Sequence, residues 1–241
     1  EIMYSPATEP EWVELKNMGA DSADLKGWQL SNRNSGTRYV IVGVSCSVPP
    51  HGYVLITKDT ALLGQRHGRL SGVILQAPAL PTFLFNNSGD AVAVFDNRSL
   101  QMDSLKYAPT WGGNSGTSLE RVDLLGLSSD SANWASSVDS MQATPGRENS
   151  VAIVDYDVQL MAASAITVPP GITAPLSVTV KNAGRLPVTG FDVAFFDDLN
   201  RDSIAASVEL VARVSIAQPY ARSETLRVSV PWQNPSPGAH G

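Results

Sequence analysis

The sequence predicts an all-β chain organised as two domains in tandem. Short apolar runs, β-branched or aromatic, recur at roughly 8 to 12 residue spacing, and clusters of Gly, Asn and Pro separate them. A polar, turn-prone stretch at residues 142–150 divides a chain of 241 residues, long enough for two cores. Short strands so spaced, with few helices between them, form a sandwich or a barrel.

The first two elements are Glu11-Trp12-Val13-Glu14-Leu15-Lys16-Asn17 and Leu25-Lys26-Gly27-Trp28-Gln29-Leu30. Each sets one Trp in a short apolar-polar run. The polar connection at residues 18–24 suits neither helix nor core, so the pair reads as two strands with aromatic anchors. Trp12, Leu15, Trp28 and Leu30 are expected in the core, and Asn17 is expected to satisfy turn backbone groups through its side chain. Strands follow at residues 38–42, 53–57, 83–85, 91–95 and 119–122. Turns at residues 49–52, 86–90 and 111–116 hold the Gly and Asn that positive φ angles require. One helix is expected from Asp59 to His67, capped by Asp59 and ended by Gly68. Residues 69–81 read as a long apolar loop. Cys46, in the alternating run at residues 44–48, reads as a small core or half-buried residue. Past the break, residues 157–160, 176–180, 191–196 and 226–230 alternate cleanly. The expected boundaries are a domain at 1–149, a linker at 150–154, a domain at 155–232 and a Pro-rich tail at 233–241.

Composition narrows the function. Charged residues make up 17% of the chain, below the ~25% of typical soluble domains, which suits a loop-rich β protein outside the cytoplasm. The 23 acidic and 17 basic side chains give a net charge of -6, which weighs against nucleic-acid binding through phosphates. No run approaches the ~20 apolar residues of a membrane-spanning helix. The opening Glu1-Ile2-Met3-Tyr4 reads as the inside of a strand, so a fragment whose targeting segment is absent is expected. A single cysteine excludes an internal disulfide and any Cys-based metal cluster.

From residue 1 to about 149 the chain resembles the lamin tail domain, an immunoglobulin-like module of nuclear lamins and of many bacterial surface and secreted proteins. The resemblance rests on Glu1-Ile2-Met3-Tyr4, EWVELKN at 11–17, DLKGWQLSN at 24–32 and the turn into a strand at 50–56. FNNSGDAVAVFD at 85–96, Gly116-Thr117-Ser118-Leu119-Glu120-Arg121, Trp134 and the closing residues 144–149 continue it in order. Residues 155 to about 232 resemble a bacterial adhesion-type immunoglobulin or fibronectin-like repeat, on Asp157-Val158-Gln159-Leu160, Pro169-Pro170-Gly171 and Val178-Thr179-Val180-Lys181-Asn182-Ala183-Gly184. The resemblance implies two immunoglobulin-like β-sandwich domains in tandem. It further implies a noncatalytic binding or scaffolding role, extracellular or at a cell envelope, with a protein or a cell-surface polysaccharide as partner. The alternative is an accessory targeting module of a larger secreted hydrolase or nuclease.

The residues offer few sites of their own. Gly113-Asn114-Ser115-Gly116, with His51 and His67 and with Asp90, Asp96 and Asp103, supplies a His, Asp, Ser order, but the Gly-rich stretch reads as a turn. Glu9, Glu11 and Glu14 read as surface charge, with Glu11 and Glu14 on opposite sides of a strand. No HExxH or CxxC spacing occurs. Asp198, Asn200, Asp202 and Glu209 take the spacing of a calcium loop, with Ser203 where that loop uses Gly; a solvated turn between strands is expected, with calcium as the alternative. Trp111, preceded by Tyr107 and followed by two glycines, is expected to fold over the end of the core, with a carbohydrate or protein contact at Trp111 and Tyr107 as the alternative.

Overall fold

A computed structural model describes residues 1–32, 36–82, 84–163, 167–169, 171–233 and 235. Phe83, Pro170 and most of the Pro-rich tail lie outside the described residues. The chain divides into two compact units, Glu1–Ala152 and Ile153–Gly241. Both are all-β immunoglobulin-like sandwiches.

The first unit contains β1 (Ile2–Met3), β2 (Trp12–Lys16), β3 (Ala23–Asp24), β4 (Gln29–Asn32), β5 (Arg38–Val40), β6 (Ser47–Val48), β7 (Tyr53–Thr57), β8 (Val73–Gln76), β9 (Asp90–Phe95), β10 (Gln101–Tyr107), β11 (Leu119–Arg121) and β12 (Trp134–Ser136). A six-stranded sheet runs β12-β11-β1-β2-β7-β8, and a four-stranded sheet runs β10-β9-β4-β5. The pairing of β7 with β8 is parallel. Parallel neighbours need a crossover, and helix α1 (Thr60–His67) supplies it. Asp59 accepts from Ala61 N and Leu62 N, and Gly68 closes the helix at φ 71°, as the sequence predicts. The strand β8 replaces the loop expected at residues 69–81. Paired in parallel with β7, this apolar run forms the edge of the sheet.

Alternate residues of β2 serve two cores. Val13 and Leu15 join Ile2, Val54, Ile56, Leu30, Val92 and Val94 between the two sheets. Trp12 joins Met3, Leu55, Leu63 of α1 and Ala143 on the other face of the large sheet. Both faces of this sheet are therefore covered, the outer one by α1 and by residues 143–151. Trp28 and Leu15 are half-buried against the main core, while Trp12 and Leu30 are fully buried. Asn17 fulfils its expected role: Nδ2 donates to the carbonyls of Asp21, Val48 and Pro49, and Oδ1 accepts from Gly19 N.

Two expectations fail here. Leu84 and Phe85 are not in a strand, because both N–H groups donate to one carboxylate oxygen of Glu11 and so are lost to any ladder. Glu9, Glu11 and Glu14 are buried, not surface charge. Surface charge needs a wet face, and this sheet has none at β2.

The second unit pairs β13 (Val158–Ala163), β14 (Ala174–Asn182) and β17 (Thr225–Trp232) in one sheet, and β15 (Phe191–Phe196) with β16 (Leu210–Ile216) in another. Val178, Val180, Val193 and Val228 form its core, with Phe191, Phe195, Val214 and Leu226 packed against them. Asn182 repeats the device of Asn17: Nδ2 donates to the carbonyls of Leu186 and Tyr220, and Oδ1 accepts from Gly184 N. A Lys-Asn-x-Gly turn thus ends a strand in each unit.

Candidate binding surface

The polar chemistry buried in the first unit is consumed by its own backbone. Burial pushes Glu11 up to about 7, against the lowering effect of Leu84 N and Phe85 N, which lie 2.5 and 2.9 Å from Oε2. Burial pushes Glu14 up to about 8, and its carboxylate accepts from Gly146 N. Glu120 is 0% exposed and accepts from Thr144 Oγ1 at 2.8 Å, Ser150 Oγ at 2.7 Å and Val151 N at 3.1 Å. Thr144 Oγ1 also lies 2.9 Å from Glu1 Oε2. The Thr144 hydroxyl thus lies between Glu1 and Glu120, and burial raises the pKa of Glu1. Glu9 pairs with Nε2 of His67, whose ring stands edge-on to Trp12 at 6.5 Å.

The serine-containing turn is a turn. Gly116 N donates to Ser5 O at 2.8 Å, Thr117 N to Asn114 O at 3.1 Å and Gly113 N to Ser136 Oγ at 3.0 Å. Burial pushes the Cys46 thiol up, which keeps it in the unreactive form at neutral pH.

Of the two candidate ligand contacts, Tyr107 is a core residue. It is 2% exposed, stacks on Tyr4 with ring centroids 4.4 Å apart, and donates its hydroxyl proton to Asn86 O at 2.8 Å. A ring so enclosed has no face left for a ligand. Trp111 ends the single turn Pro109–Trp111 and is half-buried against the main core.

The acidic loop of the second unit is built around Asp198. Its Oδ1 accepts from Asp202 N at 3.1 Å and its Oδ2 from Ser203 N at 2.9 Å, with Ser203 at φ 60°. Asn200 Oδ1 also accepts from Asp202 N, and Asp202 Oδ1 accepts from Ile204 N at 2.7 Å. Glu209 is buried, and its carboxylate accepts from Ala206 N at 3.2 Å. Among the described residues, no three His, Cys, Asp or Glu side chains gather as a metal-holding group.

A surface that the sequence reading passed over lies between β11 and β12. Leu125 and Leu127 are 74% and 73% exposed, yet the loop that carries them is fixed. Asn133 Oδ1 accepts from Asp123 N at 2.6 Å, and its Nδ2 donates to the carbonyls of Asp123 and Leu127. Trp134 Nε1 donates to Ser128 O at 2.9 Å, and Arg121 Nη2 donates to Gly126 O at 2.5 Å. Asp103 of β10 ties the loop to the second sheet through Ser128 Oγ and Arg121 Nη1. A fixed backbone holding two large apolar side chains in water is the arrangement of an interaction surface. The signal was the apolar run Leu124-Leu125-Gly126-Leu127, too irregular to be a strand.

The first unit is thus an immunoglobulin-like module whose interior is closed and whose apolar outlet is a loop. Residues 1–109 match the family model described as Lamin Tail Domain. No curated protein matches the chain. Among solved structures, the exo-chitosanase CsxA of Amycolatopsis orientalis is similar at 14% identity, over 96% of this chain and 23% of that one, with a TM-score of 0.24. A complex of the same enzyme with PNP-beta-D-glucosamine gives 14% identity and a TM-score of 0.24 over 97% of this chain. The chain therefore spans about a quarter of the chitosanase chain. No helix among the described residues is long and apolar enough to cross a membrane.

Proposed function

We propose that this chain is a noncatalytic attachment module of a secreted or cell-envelope bacterial protein, and that it holds a protein partner through the loop between β11 and β12. The observation that carries this reading is the pair Leu125 and Leu127, more than 70% exposed on a loop fixed by hydrogen bonds from Arg121, Asn133 and Trp134. Alkyl side chains held in water favour an apolar protein surface over a sugar, which stacks on aromatic rings. The match of residues 1–109 to the lamin tail domain supports a binding role. Hydrogen bonds from backbone and hydroxyl donors to Glu1, Glu11, Glu14 and Glu120 support a structural use for the carboxylates.

The test compares the source cells carrying the whole protein with cells carrying a Leu125→Asp/Leu127→Asp variant. The envelope-retained fraction is measured by fractionation, and folding is checked by melting. Retention is expected to fall at least about tenfold at unchanged melting temperature, the loss of an interface anchor of about 1.4 kcal/mol or more. Unchanged retention would remove the loop from the account.

A further inference from the structure

The three-stranded sheet of the second unit has a core face that the opposing sheet covers only in part. Residues opposite each other in a ladder share a face, and Leu160 stands opposite Val180 while Val158 stands opposite Asn182. Val180 is a core residue, so Val158 and Leu160 of β13 are on the core face. Val158 reaches the opposing sheet, sharing a small recess with Val180, Phe191 and Leu226. Leu160 does not: it is 64% exposed, against 5% for Val180 beside it.

Strand number explains the difference. An immunoglobulin sandwich sets roughly three to five strands in each sheet. Among the described residues, the opposing sheet of this unit has two, β15 and β16. β16 lies against β17, the strand of the larger sheet farthest from β13, so the free edge of β15 is turned toward the uncovered side. Beyond that edge is room for one more strand, floored by Leu160 and bordered by the outward backbone N–H and C=O groups of Phe191–Phe196. β15 holds no Lys or Pro, the residues that guard an exposed edge. Its one charge, Asp192, alternates with the core-facing Phe191 and Val193 and is bound by Arg213 Nη1 at 3.1 Å and Ser215 Oγ at 2.7 Å. β13 carries no charge at all.

An occupant of this place needs backbone donors and acceptors along one side and aliphatic side chains at every second residue. An extended polypeptide supplies both, and a sugar or a lipid does not. The sequence after Trp232 is unsuited, because Pro235 and Pro237 cannot donate to a ladder and Ala239 is its one aliphatic side chain. Two copies cannot join edge to edge through β15, since β13 of each extends beyond that edge. We propose that the second unit takes in one β-strand of a partner polypeptide, uncharged and apolar at alternate residues, along the free edge of β15 and over Leu160. The site is in the other unit from Leu125 and Leu127, so it stands or falls apart from the attachment loop.

The test titrates the full chain into a fluorescein-labelled octapeptide of alternating valine and threonine, read by anisotropy, with amide hydrogen exchange measured on the complex. Saturable binding is expected, with exchange slowed within Phe191–Phe196. Leu160→Asp, at an exposed position, is expected to weaken the peptide at least about tenfold at unchanged melting temperature, because the added strand buries the new charge. Val208→Asp, 87% exposed in the same unit, is expected to leave binding unchanged. Absence of saturable binding, equal losses in the two variants, or protection within Val158–Ala163 and not in β15 would overturn the proposal. So would dimerisation of the chain alone in sedimentation that is lost in Leu160→Asp, which assigns the edge to a second copy.

Discussion

Glu14 sits on the outer face of the large sheet beneath residues 143–147, and burial raises its pKa to about 8; Glu11 rises to about 7. A carboxyl raised above its unfolded value contributes stability that is complete below about pH 4.5 and is lost as pH climbs through the folded pKa. The melting temperature of the first unit is therefore expected to fall by about 5 °C between about pH 5 and pH 8.5, and Glu14→Gln is expected to flatten much of that slope. A calorimetric series across this range reads it directly; a rise in melting temperature over the same interval would contradict it. Asn17 gives a second residue-scale expectation. Asn17→Ala leaves three carbonyls and one N–H without their partner, at a cost of about 2 kcal/mol by denaturant unfolding, and Asn182→Ala repeats it in the second unit. Trp12, Leu30 and Asn17 could be read from type and position alone. The buried glutamates could not, because alternation assigns every second residue of a strand to water, and at β2 residues 143–151 take the place of the water.

Among the elements, the helix was legible because Asp59 and Gly68 bracket it with caps that act locally. β8 and β10 were not. The exposed Gln101, Met102, Asp103 and Ser104 leave only Leu105 and Tyr107 of β10 facing the core, too few to set a period. β8 is defined by its parallel neighbour β7, a contact formed only once α1 has crossed the sheet. The segment at 143–151 has no regular structure, yet it closes the outer face through Ala143, Thr144, Gly146, Ser150 and Val151. Gly146 is its most constrained point, at φ 79° with space for a Cβ only 2.3 Å from Ser71 O. Gly146→Ala combines a strained backbone with a backbone clash, and a loss of about 2 to 4 kcal/mol is expected in urea unfolding. The loop at Leu125 and Leu127 was illegible for a related reason: what holds it is Arg121, Asn133 and Asp103, from three different strands or turns.

At the scale of the whole molecule, each unit has a core of its own, Val178, Val180, Val193 and Val228 anchoring the second. The break in composition at residues 142–150 was visible in the sequence, but its last residues belong to the first unit, where Ser150 and Val151 bind Glu120. The first unit continues to Ala152, well past the matched residues 1–109. Residues 110–152 supply β11 and β12, the partners of Glu1, Glu14 and Glu120, and the exposed leucines. The central claim is that residues 1–152 form one closed module that spends its buried acids on its own closure. Thermal unfolding of residues 1–152, compared with residues 1–109 and followed by near-ultraviolet circular dichroism of the tryptophans, tests this most directly. A single cooperative transition is expected for residues 1–152 and none for residues 1–109; a cooperative transition at the same temperature in both would contradict the claim.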